Sequence, residues 1–228
     1  MKTNAIRITI LMLALLASFS VASQGQKKSK KANSKKAAKT EKIVLFNGKD
    51  LNNWTFHLKD QSVDPAKVFA VRNGVITISG DPFGYMRTNE SYSDYTLHVE
   101  WRYPVEATNS GVFVHGQKPD TIWLKCFECQ LKAGSAGDFV CMNGADMNER
   151  TDKSNRSVKK LAHASEKPVG EWNSMDVVCK ANTIEVIVNG VLQNKGTGLN
   201  VNKGHICLQS EGKEIEFKNV YLTKLKKK

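Results

Sequence analysis

The chain has 228 residues, 34 Lys and Arg against 22 Asp and Glu, and a formal net charge of +12. A hydrophobic share of 40% suffices for a packed core and excludes a wholly disordered chain. Beyond the N-terminus no apolar run approaches the ~20 residues that span a bilayer, which excludes a multi-pass membrane protein.

At the N-terminus, Lys2 and Arg7 precede an apolar run from Ile8 to Ala17, and small residues follow at Ser18, Ser20, Ala22 and Ser23. This order predicts a secretory signal peptide over residues 1–23 and delivery to the periplasm. No cysteine occurs before Cys126, so the cleavage site lacks a cysteine for lipid attachment. Residues 24–42, QGQKKSKKANSKKAAKTEK, form a lysine-rich linker expected to be disordered. It reads either as a solvated spacer or as an electrostatic tether to an anionic surface. Residues 1–42 hold ten basic residues and one acidic residue, and the last five residues hold four lysines. Residues 43–223 hold 20 basic and 21 acidic residues, so the part that folds is nearly neutral. That balance argues against a nucleic-acid binder.

From Ile43 onward the chain alternates with period two between turn signals, as strands do. VFAVRNGVITIS turns at Asn73-Gly74 and TIEVIVNGVLQN turns at Asn189-Gly190; both pairs accept the positive φ angles of a type I′ hairpin. In DYTLHVEWRY, Tyr95, Leu97, Val99, Trp101 and Tyr103 form the core face, and Thr96, His98, Glu100 and Arg102 point away. Cys126, Glu128, Gln130 and Lys132 share one face of the next polar strand; Phe127, Cys129 and Leu131 share the other. Ile206 and Leu208 oppose Cys207, Gln209 and Glu211. The polar stretch 145–166 reads mainly as loop. Many short strands without βαβ alternation predict an all-β jelly-roll sandwich, a single domain over 43–225 with a basic tail at 226–228. Trp54, Trp101 and Trp172 read as core.

The five cysteines are Cys126, Cys129, Cys141, Cys179 and Cys207. On a strand Cys126 and Cys129 face opposite ways, roughly 10 Å apart along the chain and beyond disulfide reach. Buried thiols, or a bridge between distant strands, fit the set. A second Cys-x-x-Cys is absent, which argues against zinc, and no EF-hand loop, P-loop, dinucleotide fingerprint or Gly-x-Ser-x-Gly elbow occurs.

LFNGKDLNNW, DYTLHVEWRY, NSGVFVHG, FECQLKAGSAGDF, KPVGEWN, VNG and GHICLQSEGKEIEFKNV, in this order from Leu45 to Val220, together resemble the 3-keto-disaccharide hydrolase domain family. The resemblance implies a concanavalin-A-like jelly roll in an exported bacterial protein. It implies a carbohydrate substrate, a 3-keto-glucoside, cleaved by hydrolysis or elimination across C1–C2, or hydration of the 2-hydroxy-3-keto-glucal. A ketone at C3 acidifies the C2 proton, so such chemistry needs a base, an acid for the leaving oxygen and a partner for the enolate. On the matching motifs the expected catalytic residues are Glu100, Glu128 and Lys132. The expected substrate-binding residues are Asn109, Ser110, His115, Gln130, Asp138 and Gln209. The metal requirement is open: a divalent metal is compatible with Glu128, but Lys132 stands where relatives carry an aspartate. A glycan-binding module on the same fold is the alternative reading.

Overall fold

A computed structural model of the chain describes residues 41–226. The expected signal peptide, nearly all of the lysine-rich linker and the last two residues of the tail lie outside the described residues. The strands are β1 (Lys42–Val44), β2 (Trp54–Leu58), β3 (Phe69–Arg72), β4 (Val75–Ile78), β5 (Gly84–Thr88), β6 (Tyr95–Arg102), β7 (Gly111–Gly116) and β8 (Cys126–Gln130). They continue as β9 (Phe139–Met142), β10 (Ser157–Val158), β11 (Asn173–Lys180), β12 (Thr183–Val188), β13 (Val191–Gly196), β14 (His205–Ser210) and β15 (Ile215–Lys224). One 3-10 turn, Pro65–Lys67, is the sole helical piece among the described residues.

All strand pairs are antiparallel and form two sheets. The eight-stranded sheet runs β13-β12-β11-β6-β15-β4-β3, with β1 also on β15. The seven-stranded sheet runs β10-β9-β8-β7-β14-β5-β2. The sandwich is the all-β architecture that the alternation predicts. Along β6, buried residues alternate with half-buried ones without a break. Leu97, Val99 and Trp101 of β6 meet Val112, Phe127, Phe139, Ile206 and Leu208 of the other sheet in one core. Each such fully buried side chain contributes about 1.5–3 kcal/mol of transfer free energy.

The Asn-Gly pairs turn as expected. Asn73 and Gly74 have φ of 50° and 78°, and Asn189 and Gly190 have φ of 49° and 81°. The two turns join β3 to β4 and β12 to β13. Segment 145–166 is turns and loop apart from β10. The five cysteines are free and buried. Cys129 faces the core, whereas Cys126 lies in a second apolar cluster with Tyr85, Phe113, Leu124, Val140, Met142 and Cys207. That cluster covers the outer face of the seven-stranded sheet. Trp54 and Trp101 are core residues. Trp172 corrects the expectation: it is half-buried, with the Arg102 guanidinium 4.7 Å and the Lys218 ammonium 4.1 Å from its ring. No helix among the described residues is long and apolar enough to cross a membrane.

Candidate active site on the outer face of the seven-stranded sheet

Registers across this sheet bring its polar residues into rows. Gly111 faces Gln130 of β8, and Phe113 faces Glu128. Cys207 faces Phe113 on one side and Arg87 on the other, and Gln209 faces Tyr85. His57 faces Tyr85 from β2. Strand alternation puts Glu128, Gln130, Gln209, Tyr85, Arg87 and His57 on one outer face.

Glu128 lies at the centre of this face. Its strand neighbour Gly111 has no side chain, and the carboxyl fills that space: a Cβ on Gly111 would fall 2.4 Å from Glu128 Oε1. Glu128 is 5% exposed, and its Oε1 is buried without a hydrogen-bond partner. Burial, and then the nearby charge of Glu211, push its carboxyl up to about 8, against a smaller opposing pull from Arg156. At neutral pH Glu128 is therefore a carboxylic acid, able to donate a proton. Glu211, half-buried one residue past β14, accepts a hydrogen bond from Gln209 Nε2 at 2.8 Å. The Gln209 Oε1 is buried and unpartnered, as is Asn109 Oδ1. Unpartnered buried oxygens of this kind are where ligand hydroxyls bond best.

The rest of the face is braced. Arg87 Nε and Nη2 donate to Asp120 Oδ1 and Oδ2 at 2.7 and 2.9 Å. Burial, and then Asp120, raise the Tyr85 phenol above its ordinary range. The Tyr85 hydroxyl lies 3.1 Å from the Thr121 carbonyl and 3.2 Å from Asp120. These bonds hold the 117–125 loop down over one half of the face.

The sequence-predicted residues divide. Glu128, Gln130 and Gln209 share the face. The Gln130 side-chain oxygen accepts from the Leu131 and Lys132 N–H groups, both at 2.9 Å. Asp138 lies beside Gln130, whose N–H donates to its carbonyl, but its carboxylate holds Lys159 Nζ and the Lys160 N–H, each at 2.9 Å. It ties down the 159–160 segment. Lys132 is exposed just past the end of β8.

Three of the expected residues do not open onto this face. Glu100 lies on β6 in the other sheet and points away from the core, so two packed sheets, about 10 Å apart, separate it from Glu128. Its carboxylate accepts from Asn219 Nδ2 at 2.8 Å and pairs with Lys218 Nζ at 3.4 Å. Burial opposes these contacts, yet they lower its carboxyl. His115 is fully buried between the edges of the Tyr95 and Phe127 rings, at 6.1 and 6.4 Å. Its φ of 57°, at a register break between β7 and β14, turns the ring inward against the strand alternation. Burial holds it at about 4, a neutral core imidazole. Ser110 is also fully buried, donating to the Gln209 carbonyl at 2.9 Å.

Sequence reasoning missed Glu211, Tyr85, Arg87 and Asp120 as site residues. The alternation in ICLQSE already places Glu211 with Gln209, whereas the Asp120 loop has no periodic signal. No group of three or more His, Cys, Asp or Glu side chains is placed to hold a metal ion among the described residues. A cleft is lined by Trp101, Tyr103, Leu131, Glu166 and Pro168, and its Tyr103 phenol is pushed up by burial and then by the charges of Glu166, Glu128 and Glu211, so it lies near the Glu128 face. Glu166 there accepts from the Gly134 and Ala136 N–H groups and has no second carboxylate in the lining.

Several solved structures share this architecture. A candidate glycosyl hydrolase from Parabacteroides distasonis is 20% identical, with a TM-score of 0.61 over 81% of this chain and 94% of that one. A beta-glucanase from Bacillus licheniformis is 11% identical, with a TM-score of 0.56 over 83% and 100%. The carbohydrate-binding module CBM66 from Bacillus subtilis is 10% identical, with a TM-score of 0.55 over 74% and 93%. These likenesses concern the fold. No curated protein matches the chain. Residues 41–223 match the model of the 3-keto-alpha-glucoside-1,2-lyase-like domain, and the chain belongs to that glycan-related family.

Proposed function

We propose that this protein is an exported enzyme that cleaves 3-keto-glucosides by elimination across C1–C2 and can hydrate the resulting 2-hydroxy-3-keto-glucal. One observation carries the reading: a buried, protonated Glu128 on the same face as the carboxylate of Glu211. The family supports the substrate class, and the order of Lys2, Arg7, the Ile8–Ala17 run and the small residues supports export.

The C3 ketone makes the C2 proton acidic. Glu211 removes that proton, the electron pair forms the C1=C2 bond, and the C1–oxygen bond breaks. Glu128 gives its proton to the departing oxygen. The products are an alcohol and the glucal; Glu211 is left protonated and Glu128 ionised. Water can then add to C1, giving its proton to Glu128, while Glu211 returns a proton to C2. Both groups recover their starting states, and the sum of the two steps is hydrolysis. Gln209 and Asn109 bond sugar hydroxyls, and Gln130 orders the rim beside Glu128.

Mass spectrometry after incubation with a 3-keto-glucoside, and separately with the glucal, tests this. Release of the alcohol with the glucal marks elimination, and gain of one water by the glucal marks hydration. Binding of intact glucoside with no mass change in either incubation would replace the enzyme by a glycan-binding module.

A further inference from the structure

Among the described residues, the exposed large apolar side chains include two aromatic rings, Phe83 at 37% and Trp123 at 38%. They touch each other, with ring centroids 6.3 Å apart and planes at 48°. Both adjoin the candidate active site. The β2–β5 ladder continues one step past Gly84, through the Lys59 N–H and the Phe83 carbonyl at 2.7 Å. Alternation then gives Phe83 the same face as Tyr85 and Arg87. Across β14, Ser210 faces Gly84, so Glu211 and Phe83 are the next pair in line. Phe83 thus stands between Glu211 on one side and Lys59 on the other, with His57 one step along β2.

The Trp123 loop is fixed. Asp120 holds Arg87 through two hydrogen bonds, the Thr121 carbonyl faces the Tyr85 hydroxyl, and Leu124 is 1% exposed in the second apolar cluster. An exposed ring pair on a braced support loses little freedom when a ligand stacks on it. The border decides the ligand. Lys59, His57 and Glu211 offer donors and acceptors around the rings, which suits a ring with an apolar C–H face and a rim of hydroxyls. An aryl group would leave that border unused.

We propose that Trp123 and Phe83 are the residues that hold the leaving-group sugar of a disaccharide substrate, by stacking on its pyranose ring. The proposal rests on the glycosidase reading for the words "leaving group", but the stacking surface is testable without turnover. Titration calorimetry on the full chain compares a glucosyl-glucose disaccharide, phenyl glucoside and methyl glucoside, none of them oxidised. The wild type is expected to bind the disaccharide about fivefold or more tightly over methyl glucoside. Trp123→Ala and Phe83→Ala bring that ratio close to one, and Trp123→Phe restores most of it. A wild type that does not discriminate, or a ratio untouched in Trp123→Ala, overturns the subsite. An equal Trp123-dependent gain for phenyl glucoside overturns the pyranose assignment. Loss of the ratio in a protein that leaves every 3-keto-glucoside intact sinks the glycosidase reading and keeps the subsite. Turnover with an unchanged ratio does the reverse.

Discussion

A single carboxyl shows how burial turns one residue type into two functions. An ordinary Glu titrates at 4.5, whereas Glu128 keeps its proton to about 8 because ionising it in place would leave a desolvated charge near Glu211. Between those two values the folded state binds more protons than the unfolded state. Stability linked to this group is therefore present at acid pH and is lost as pH rises through that window. Glu128→Gln cannot ionise. It is expected to melt with the wild type near pH 5 and a few degrees above it at pH 8, with turnover lowered on the order of 100-fold or more. Melting curves across the window, with rates on a 3-keto-glucoside, check both; parallel melting at every pH would mean that the carboxyl is not desolvated. Glu100 supplies the contrast. Its side chain is 24% exposed and pairs with a Lys218 side chain that is 32% exposed, an arrangement worth about 0–1 kcal/mol. Glu100→Gln is expected to leave kcat/KM within about twofold, because no path from β6 reaches the other sheet's outer face. A hundredfold loss would return Glu100 to the chemistry.

At the scale of strands, alternation told which residues point outward but not from which sheet. DYTLHVEWRY and FECQLK read alike, each with a polar and an apolar face. Only pairing separates them: β6 joins β11 and β15, and β8 joins β7 and β9. Those contacts are distant in sequence, so the carboxylates of Glu100 and Glu128 looked like partners when a whole sandwich stands between them. His115 turns inward for a local reason, since alternation presumes regular backbone and the register break reverses it at one residue. The core, the hairpins and the Glu128 face were legible because they depend on neighbours two residues apart or on Asn-Gly turns. Pairing also explains Gly111. Its strand position is adjacent to the Glu128 side chain, and an Ala there would meet the Glu128 Cγ at 2.8 Å and Cδ at 2.9 Å. Gly111→Ala is expected to swing the carboxyl out of its buried position, at a stability cost of about 1–3 kcal/mol and roughly tenfold or more in rate. The displaced acid regains water, so the alkaline limb of the rate profile near pH 8 should move to lower pH. A variant that keeps both rate and profile would show that the space above Gly111 is not needed.

The molecule as a whole separates charge from chemistry. Residues 43–223 carry 20 basic and 21 acidic residues, so a net charge of +12 says little about what the folded part binds. On the Glu128 face the buried unpartnered oxygens of Gln209 and Glu128 carry no charge at neutral pH, because burial keeps the Glu128 carboxyl protonated. The excess positive charge lies in the terminal segments, where residues 24–40 alone hold seven lysines. Near an anionic membrane each lysine contributes about 1 kcal/mol of attraction, enough in sum to retain a chain whose body has no such affinity. A fragment of residues 41–226 keeps β1 on β15 and the Glu41–Lys224 pair at 3.1 Å. It should melt within about 2 °C of the longer chain of residues 24–228, because the core is the same in both. On vesicles containing anionic lipid, the longer chain should be retained and released as salt rises past a few tenths molar, while the fragment elutes at once. Retention of the fragment would place the basic surface on the folded body and undo the partition. Elution of both would make residues 24–40 a solvated spacer, with the candidate site unchanged, since the residues named on the Glu128 face all lie between His57 and Glu211.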